Sequence, residues 1–158
     1  KLTVDEYARL YSDLYDLETV VLRYFNVYGP GQPAGDYSGV ISVFLDQAGR
    51  SEPLTVHGDG SQTRDFVHVD DVVQANVLAA SVDAVGEAFN IGTGTATSVE
   101  TLAETVLEVT GAHSEIVHTD ARPGDIDHSQ ADISKATELL GYEPETDLSE
   151  GLATLDGD

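Results

Sequence analysis

Apolar residues first recur at helical spacing. Tyr7, Leu10, Tyr11, Leu14 and Tyr15 fall on one face, and Thr3 with Glu6 three positions later has the form of a capping box, so a helix is predicted over 3–16. The period then changes. Residues 19–25 are mostly apolar, the pattern of a strand buried on both faces of a parallel sheet. Beyond the Gly/Pro-rich run NVYGPGQPAGDYSG, residues 40–49 read as a helix and 54–57 as a short strand. A glycine turn at 58–60 leads to Arg64 and the strand-like run Phe66, Val67, His68, Val69. Asp70 and Asp71 then open a helix reaching Ala80, where acids suit the helix dipole. Residues 87–91 form another strand, closed by GTGTAT, and Thr97 with Glu100 makes a second capping box for a helix to Thr110. A strand over 115–118, a polar loop over 121–129 turning at Pro123 and Gly124, a helix capped by Asp132 and ended by Gly141, and a short helix over 148–155 complete the chain. Alternating strands and helices without repeats or low-complexity linkers define an α/β class.

Charge changes this picture more than size does. The chain has 158 residues, 41% of them apolar, enough for a sizeable core. No apolar run approaches a membrane span, no secretory leader pattern is present and cysteine is absent, so a soluble, intracellular (cytoplasmic) protein is expected. Starting at Lys1 and lacking methionine altogether, the chain is expected to be a processed product or a fragment. Its formal net charge is −22, with Lys1 and Lys135 the only lysines. Such a surface argues against binding nucleic acid or anionic membranes, which need a basic patch. Its self-repulsion calls for screening, which points to a salt-loving source.

Against that background the candidate chemistry is sparse. The five histidines show no HExxH or other close ligand pair, so no metal is expected. No Gly-x-Ser-x-Gly elbow seats a serine nucleophile. GTGTAT lacks GxGxxG spacing and reads as a tight strand-to-helix turn. Two of the five arginines, Arg64 and Arg122, stand in loop-like surroundings near glycine-rich turns, where two guanidinium forks and backbone N–H groups could hold a diphosphate. The alternative for Arg64 is an ion pair with Asp59 or Asp65; for Asp125 it is a pair with Arg122.

The segments LRYFNVYGPGQ (22–32), SGVISVF (38–44), LTVHGDGSQTRDFVHVDDV (54–72), FNIGTG (89–94) and RPGDIDHSQADISKATELLGYEP (122–144) occur in one order with compatible spacing. Together they resemble the C-terminal half of an extended short-chain dehydrogenase/reductase, nearest to NAD-dependent nucleotide-sugar epimerases of the UDP-glucose 4-epimerase type. The resemblance implies the end of a Rossmann-type parallel sheet domain plus a smaller α/β substrate-binding domain. Residues 1–26 would close the NAD-binding domain, and 27–158 would be mainly substrate-binding, with strand 87–91 returning to the Rossmann sheet. A homodimer through helix 3–16 is implied as well.

Residue by residue, the resemblance implies these roles. Lys1 stands in register with the family's catalytic Tyr-x-x-x-Lys lysine, which hydrogen-bonds the nicotinamide ribose and lowers the tyrosine's pKa. Tyr24 and Val27 would line the nicotinamide end of NAD. Phe25 and Asn26 would meet the UDP-sugar, Asn26 donating to its diphosphate. Gly39 and Val40 would start the helix over the nucleotide, and Thr55, Val56 and His57 would pass beside the uracil. Arg64 would grip the diphosphate, while Arg122 with Asp125 would hold phosphate and ribose hydroxyl. Gly31 departs from the arginine many relatives carry after YGP, and His57 stands where an aromatic often stacks on the base. The implied reaction is reversible oxidation at the sugar's C4; the chain by itself is expected to be inactive. A 4,6-dehydratase or decarboxylase of the same fold, and a non-catalytic nucleotide-sugar-binding module, stay open as alternatives.

Overall fold

The computed structural model describes residues 2–32 and 39–155. Its first helix, α1, spans Leu2–Tyr15, so Thr3 lies inside the first turn and does not cap it. The expected 19–25 strand divides in two. β1 (Val21–Tyr24) pairs in parallel with β6 (Ala88–Ile91), and β2 (Asn26–Tyr28) pairs in parallel with β5 (Phe66–His68). The handover falls at Phe25, whose N–H still reaches Ile91 O at 3.0 Å, whereas Asn26 N–H reaches Asp65 O at 3.0 Å. β1 is not buried on both faces: Leu22 is half-buried, but Arg23 and Tyr24 are exposed. Among the described residues it has one strand partner, and its inner side packs with α3 (Val69–Ala79) and α5 (Ser134–Leu140) around Val67, Val72, Ala75, Phe89, Ile91, Ala136, Leu140 and Tyr142.

A second core fills the space between α2 (Val40–Gly49), α4 (Val99–Thr110), α6 (Leu148–Ala153) and the parallel pair of β3 (Leu54–His57) with β8 (Ile116–Thr119). Phe44, Leu54, Val56, Leu102, Val106 and Leu152 are fully buried there. β5 joins the two cores, because Phe66 belongs to one and its neighbour Val67 to the other. Just before it, β4 (Thr63–Arg64) runs antiparallel to β7 (Thr97–Ser98). This pairing occupies Thr97, so the cap of α4 moves one position on: Ser98 Oγ accepts from Thr101 N–H at 3.0 Å.

Buried polar groups tie the segments together. Asp70 and Asp71 are not the caps of α3; the His68 ring accepts from Asp70 N–H, and buried Asp71 accepts from Glu145 and Thr146 N–H at 2.9 and 3.3 Å. The C-terminal segment is thereby fastened to α3. Tyr142 is fully buried, and its hydroxyl donates to Gly92 O at 2.9 Å. Burial, with the Asp71 and Asp65 charges adding, pushes this phenol well above its ordinary range, so it stays a donor at every working pH. Tyr142→Phe is expected to cost about 1 kcal/mol with the fold intact, measured by urea unfolding; an unchanged midpoint would show that the bond contributes nothing.

Asp-x-Ser turns in which the aspartate accepts from the serine N–H recur among the described residues, at Asp59, Asp132 and Asp147. In each the serine hydroxyl and then the serine backbone N–H hold the carboxyl below its usual range. A depressed folded pKa contributes stability above the unfolded value and loses it as pH falls through the folded value. These three carboxyls should therefore titrate below the ordinary aspartate value of about 3.9. NMR titration of the aspartate carboxyl carbons checks this, and midpoints at or above that value would overturn it.

Candidate functional site

The β3 edge turned away from β8 has no strand partner among the described residues. Leu54 and Gly58 N–H bond to the β8 side, so the main chain of Thr55 and His57 faces the other way. Two glutamines close the ends of this edge. Gln47 Oε1 accepts from Thr55 N–H at 3.1 Å, and Gln62 Nε2 donates to His57 O at 2.6 Å. The edge forms one wall of a cleft of about 630 Å³. The α2 start at Gly39 and Val40 makes a second wall, and its N-cap, Gly39, has no side chain to bond the helix's first N–H groups. Asn26 and Arg64 form the floor, and Arg122 and Asp125 enter from the 121–129 loop.

Eight of the twelve expected positions that fall on described residues thus meet in one cleft: Asn26, Gly39, Val40, Thr55, His57, Arg64, Arg122 and Asp125. Val56 does not reach it, since strand alternation turns its side chain wholly into the core. Phe25 is half-buried beside β6 and is not among the lining residues. Tyr24 lies outside the cleft, exposed, with its hydroxyl donating to Asn76 Oδ1 at 3.1 Å. Val27 packs against the β1–β6 core and borders a separate hollow of about 280 Å³. Lys1 lies outside the described residues.

Arg64 makes an ion pair, but with neither Asp59 nor Asp65. Its partner is Asp125, and its Nη1 also donates to Thr63 O at 2.7 Å and Ile126 O at 2.5 Å. Asp59 instead accepts from Ser61, and Asp65 is fully buried. Asp125 therefore pairs with Arg64 rather than Arg122. Arg122 Nη2 donates to His57 Nε2 at 2.9 Å. This contact puts the imidazole proton on Nδ1, which has Thr119 Oγ1 at 3.1 Å and Asp120 O at 3.4 Å. Two guanidinium groups on one cleft are a concentrated positive feature in a chain of net charge −22. That chemistry suits a phosphate-bearing ligand.

Val43, Phe44, Gln47 and Gln62 also line the cleft and carry no sequence expectation. For three of them a signal existed: Val40, Val43, Phe44 and Gln47 share one face of a helix at i, i+3, i+4 and i+7. A second cavity of about 620 Å³ between α2 and α4 gathers none of the expected residues, and its Arg50 is engaged by Asp46 at 2.9 Å. Among the described residues no His/Asp/Glu group could hold a metal ion, and no helix is long and apolar enough to cross a membrane.

A protein-family profile described as the NAD dependent epimerase/dehydratase family matches residues 1–92. A putative UDP-glucose 4-epimerase of Methanocaldococcus jannaschii is 42% identical over 152 residues, covering 96% of this chain and 49% of that protein. UDP-glucuronic acid decarboxylase 6 of Arabidopsis thaliana is 41% identical over 149 residues, covering 94% and 43%. The crystal structure of UDP-glucose 4-epimerase from Thermotoga maritima with UDP-glucose superposes with a TM-score of 0.93 at 42% identity, covering 98% of this chain and 50% of that one. The chain spans about half the length of these relatives, and its α/β fold with parallel strand pairs is the fold of that part of the epimerase structure. The chain belongs to the NAD dependent epimerase/dehydratase family.

Proposed function

We propose that this chain is the nucleotide-sugar-binding half of an NAD-dependent UDP-sugar 4-epimerase of the UDP-glucose/UDP-galactose kind. The observation that carries the reading is the convergence of Arg64, Arg122, Asn26 and the glycine-capped α2 N-terminus on one cleft of an otherwise strongly acidic chain. A diphosphate there draws on two forks and on helix N–H groups. Arg64 shares its fork between the diphosphate and Asp125, whose carboxylate also lies within reach of a ribose hydroxyl. The central Thr55 C=O and His57 N–H of the free β3 edge form an acceptor–donor pair complementary to the imide of uracil. Binding energy collected at these points holds the sugar's C4 in place for reaction.

NAD, when bound, supplies the hydride acceptor and donor for C4. The described residues fit only a flank of it. Tyr24 is exposed beside Asn76 and so is open to a nicotinamide, with Val27 nearby on β2, but the turn N–H groups at Thr93 and Gly94 already hold the Asp65 carboxylate and offer nothing to the dinucleotide's phosphates. On this reading Lys1 is the family's lysine, residues 1–26 and strand 87–91 belong to the NAD domain, and 27–158 is mainly the substrate domain. The core around β6 recruits α3 and α5 to the first of these. The apolar stripe of α1, with Tyr7, Tyr11, Leu14 and Tyr15 exposed, supports a homodimer through that helix.

Titration calorimetry with UDP tests the binding reading, with micromolar affinity expected; no heat at millimolar UDP would sink it. The near-equal identity to a decarboxylase favours a second reading, a UDP-glucuronate decarboxylase. Incubating the full-length protein with UDP-galactose or UDP-glucuronate separates them: the epimerase yields UDP-glucose, the decarboxylase releases CO2. The net charge of −22 further supports a salt-rich habitat. Thermal midpoints should rise steadily as KCl goes from about 0.1 to about 2 M, once the Debye length falls below charge spacings. A flat response would remove that part of the proposal.

A further inference from the structure

Asp65 is fully buried, and its four side-chain partners are neutral donors. Oδ1 accepts from Thr93 N–H at 2.8 Å and Thr93 Oγ1 at 2.9 Å; Oδ2 accepts from Gly94 N–H at 2.9 Å and Ala131 N–H at 3.0 Å. The carboxylate thus fills the GTG turn as an internal anion. A buried charge without a cation is a costly way to join segments that apolar packing could join. What it specifies is geometry. Asp65 is the single residue between β4 and β5, where the chain leaves its antiparallel partner for a parallel one. Its own carbonyl accepts from both Asn26 N–H at 3.0 Å and Asn26 Nδ2 at 3.1 Å, which fixes that amide at the cleft floor.

The same clamp reaches the opposite wall. Thr63 N–H donates to Asp127 O at 2.8 Å, and Ser129 N–H to Thr63 O at 3.1 Å, so residues 127–131 run alongside 63–65 up to the Ala131 bond. Arg64, one residue before Asp65, holds Ile126 O and Asp125 of that loop. Turning the Asp65 peptide would move Asn26, Arg64 and the Arg122 loop together.

We propose that Asp65 is a positioning residue for anion binding: its buried carboxylate sets Asn26 and Arg64 at the spacing a diphosphate requires. The proposal rests on the nucleotide-diphosphate reading of the cleft and names the residue that tunes it. The β3 edge that would take the base is anchored along its length on β8, and the clamp reaches it only at His57, through the side chains of Gln62 and Arg122.

The test compares UDP with uridine on the same protein, by calorimetry for the first and NMR shift titration for the second. Asp65→Asn keeps the shape but turns an amide N–H2 toward one pair of donors. It is expected to weaken UDP about tenfold, the range of a lost charge-assisted hydrogen bond, and to leave uridine unchanged. Arg64→Ala combined with Asp65→Asn should lose less UDP affinity than the two single losses combined, because part of the second change acts through Arg64. If Asp65→Asn does not fold, Thr93→Val removes one donor from the carboxylate and should show the same selective loss to a smaller degree. Equal losses for UDP and uridine, full additivity with Arg64→Ala, or no change in either variant would overturn the proposal while leaving the nucleotide reading standing. A wild-type protein that binds neither probe would sink the nucleotide reading, and this inference with it.

Discussion

Alanine at both Arg64 and Arg122 lowers UDP affinity by on the order of a thousandfold, the largest functional effect expected of any pair in the cleft. Each guanidinium lost from a diphosphate removes charge-assisted bonds of about 1.5–3 kcal/mol, and among the described residues no other Lys or Arg lines the cleft to compensate. The two sites should not contribute alike. Arg64 is only 16% exposed and also fastens Ile126 and Asp125, so its removal frees the loop that carries Arg122. Arg122 is exposed and rests on His57 alone among the described residues. Arg64→Ala should therefore cost more than Arg122→Ala, and Arg122→Lys should keep charge but lose the fork and recover only part of the loss. Calorimetry at one fixed salt concentration measures this. Affinity unchanged in the double variant would remove both arginines from the binding site.

These two arginines also show how far the sequence could be read. Their loop-like surroundings and rarity marked them, and both reach the same cleft, 58 residues apart in the chain. Their partners were not legible. Asp59 and Asp65 flank Arg64 in sequence, yet strand geometry sends Asp65 inward and leaves Asp59 to cap its own turn. Pairing with Asp125 depends on how a distant loop packs, which local spacing does not encode. The same limit explains the split of 19–25. Its apolar run is continuous, but the change of partner at Phe25 follows from where β5 and β6 lie. Thr97 and Ser98 are both competent caps by type; the β4–β7 pairing decides between them. GTGTAT was legible as a turn rather than a phosphate loop, but the anion it holds is a side chain of this chain. That could only be seen once Asp65 was placed.

Gly92→Ala is expected to destabilise the chain severely for a change of one methyl. A Cβ on Gly92 would stand 2.6 Å from Ala131 Cβ and 2.9 and 3.0 Å from the two Asp65 carboxylate oxygens. None of these neighbours is the free end of a flexible side chain: Ala131 is buried and donates to Asp65, and Asp65 is held by four bonds. Overpacking of this sort costs about 3 kcal/mol, or roughly a 10 °C fall in thermal midpoint for a chain of this length. Gly94, two residues on, provides the control. It has φ +74 but its nearest neighbours, carbons of Ile133, are at 3.5 Å, so Gly94→Ala carries backbone strain of about 1–2 kcal/mol without a clash. If space rather than backbone freedom is what Gly92 supplies, Gly92→Ala must be the worse of the two, and adding Ala131→Gly must restore part of the loss. Equal effects at both glycines, or no rescue, would mean that the segment around Asp65 yields easily. A segment that yields could not hold Asn26 and Arg64 at fixed spacing, so the stability measurement also bears on how the cleft is built.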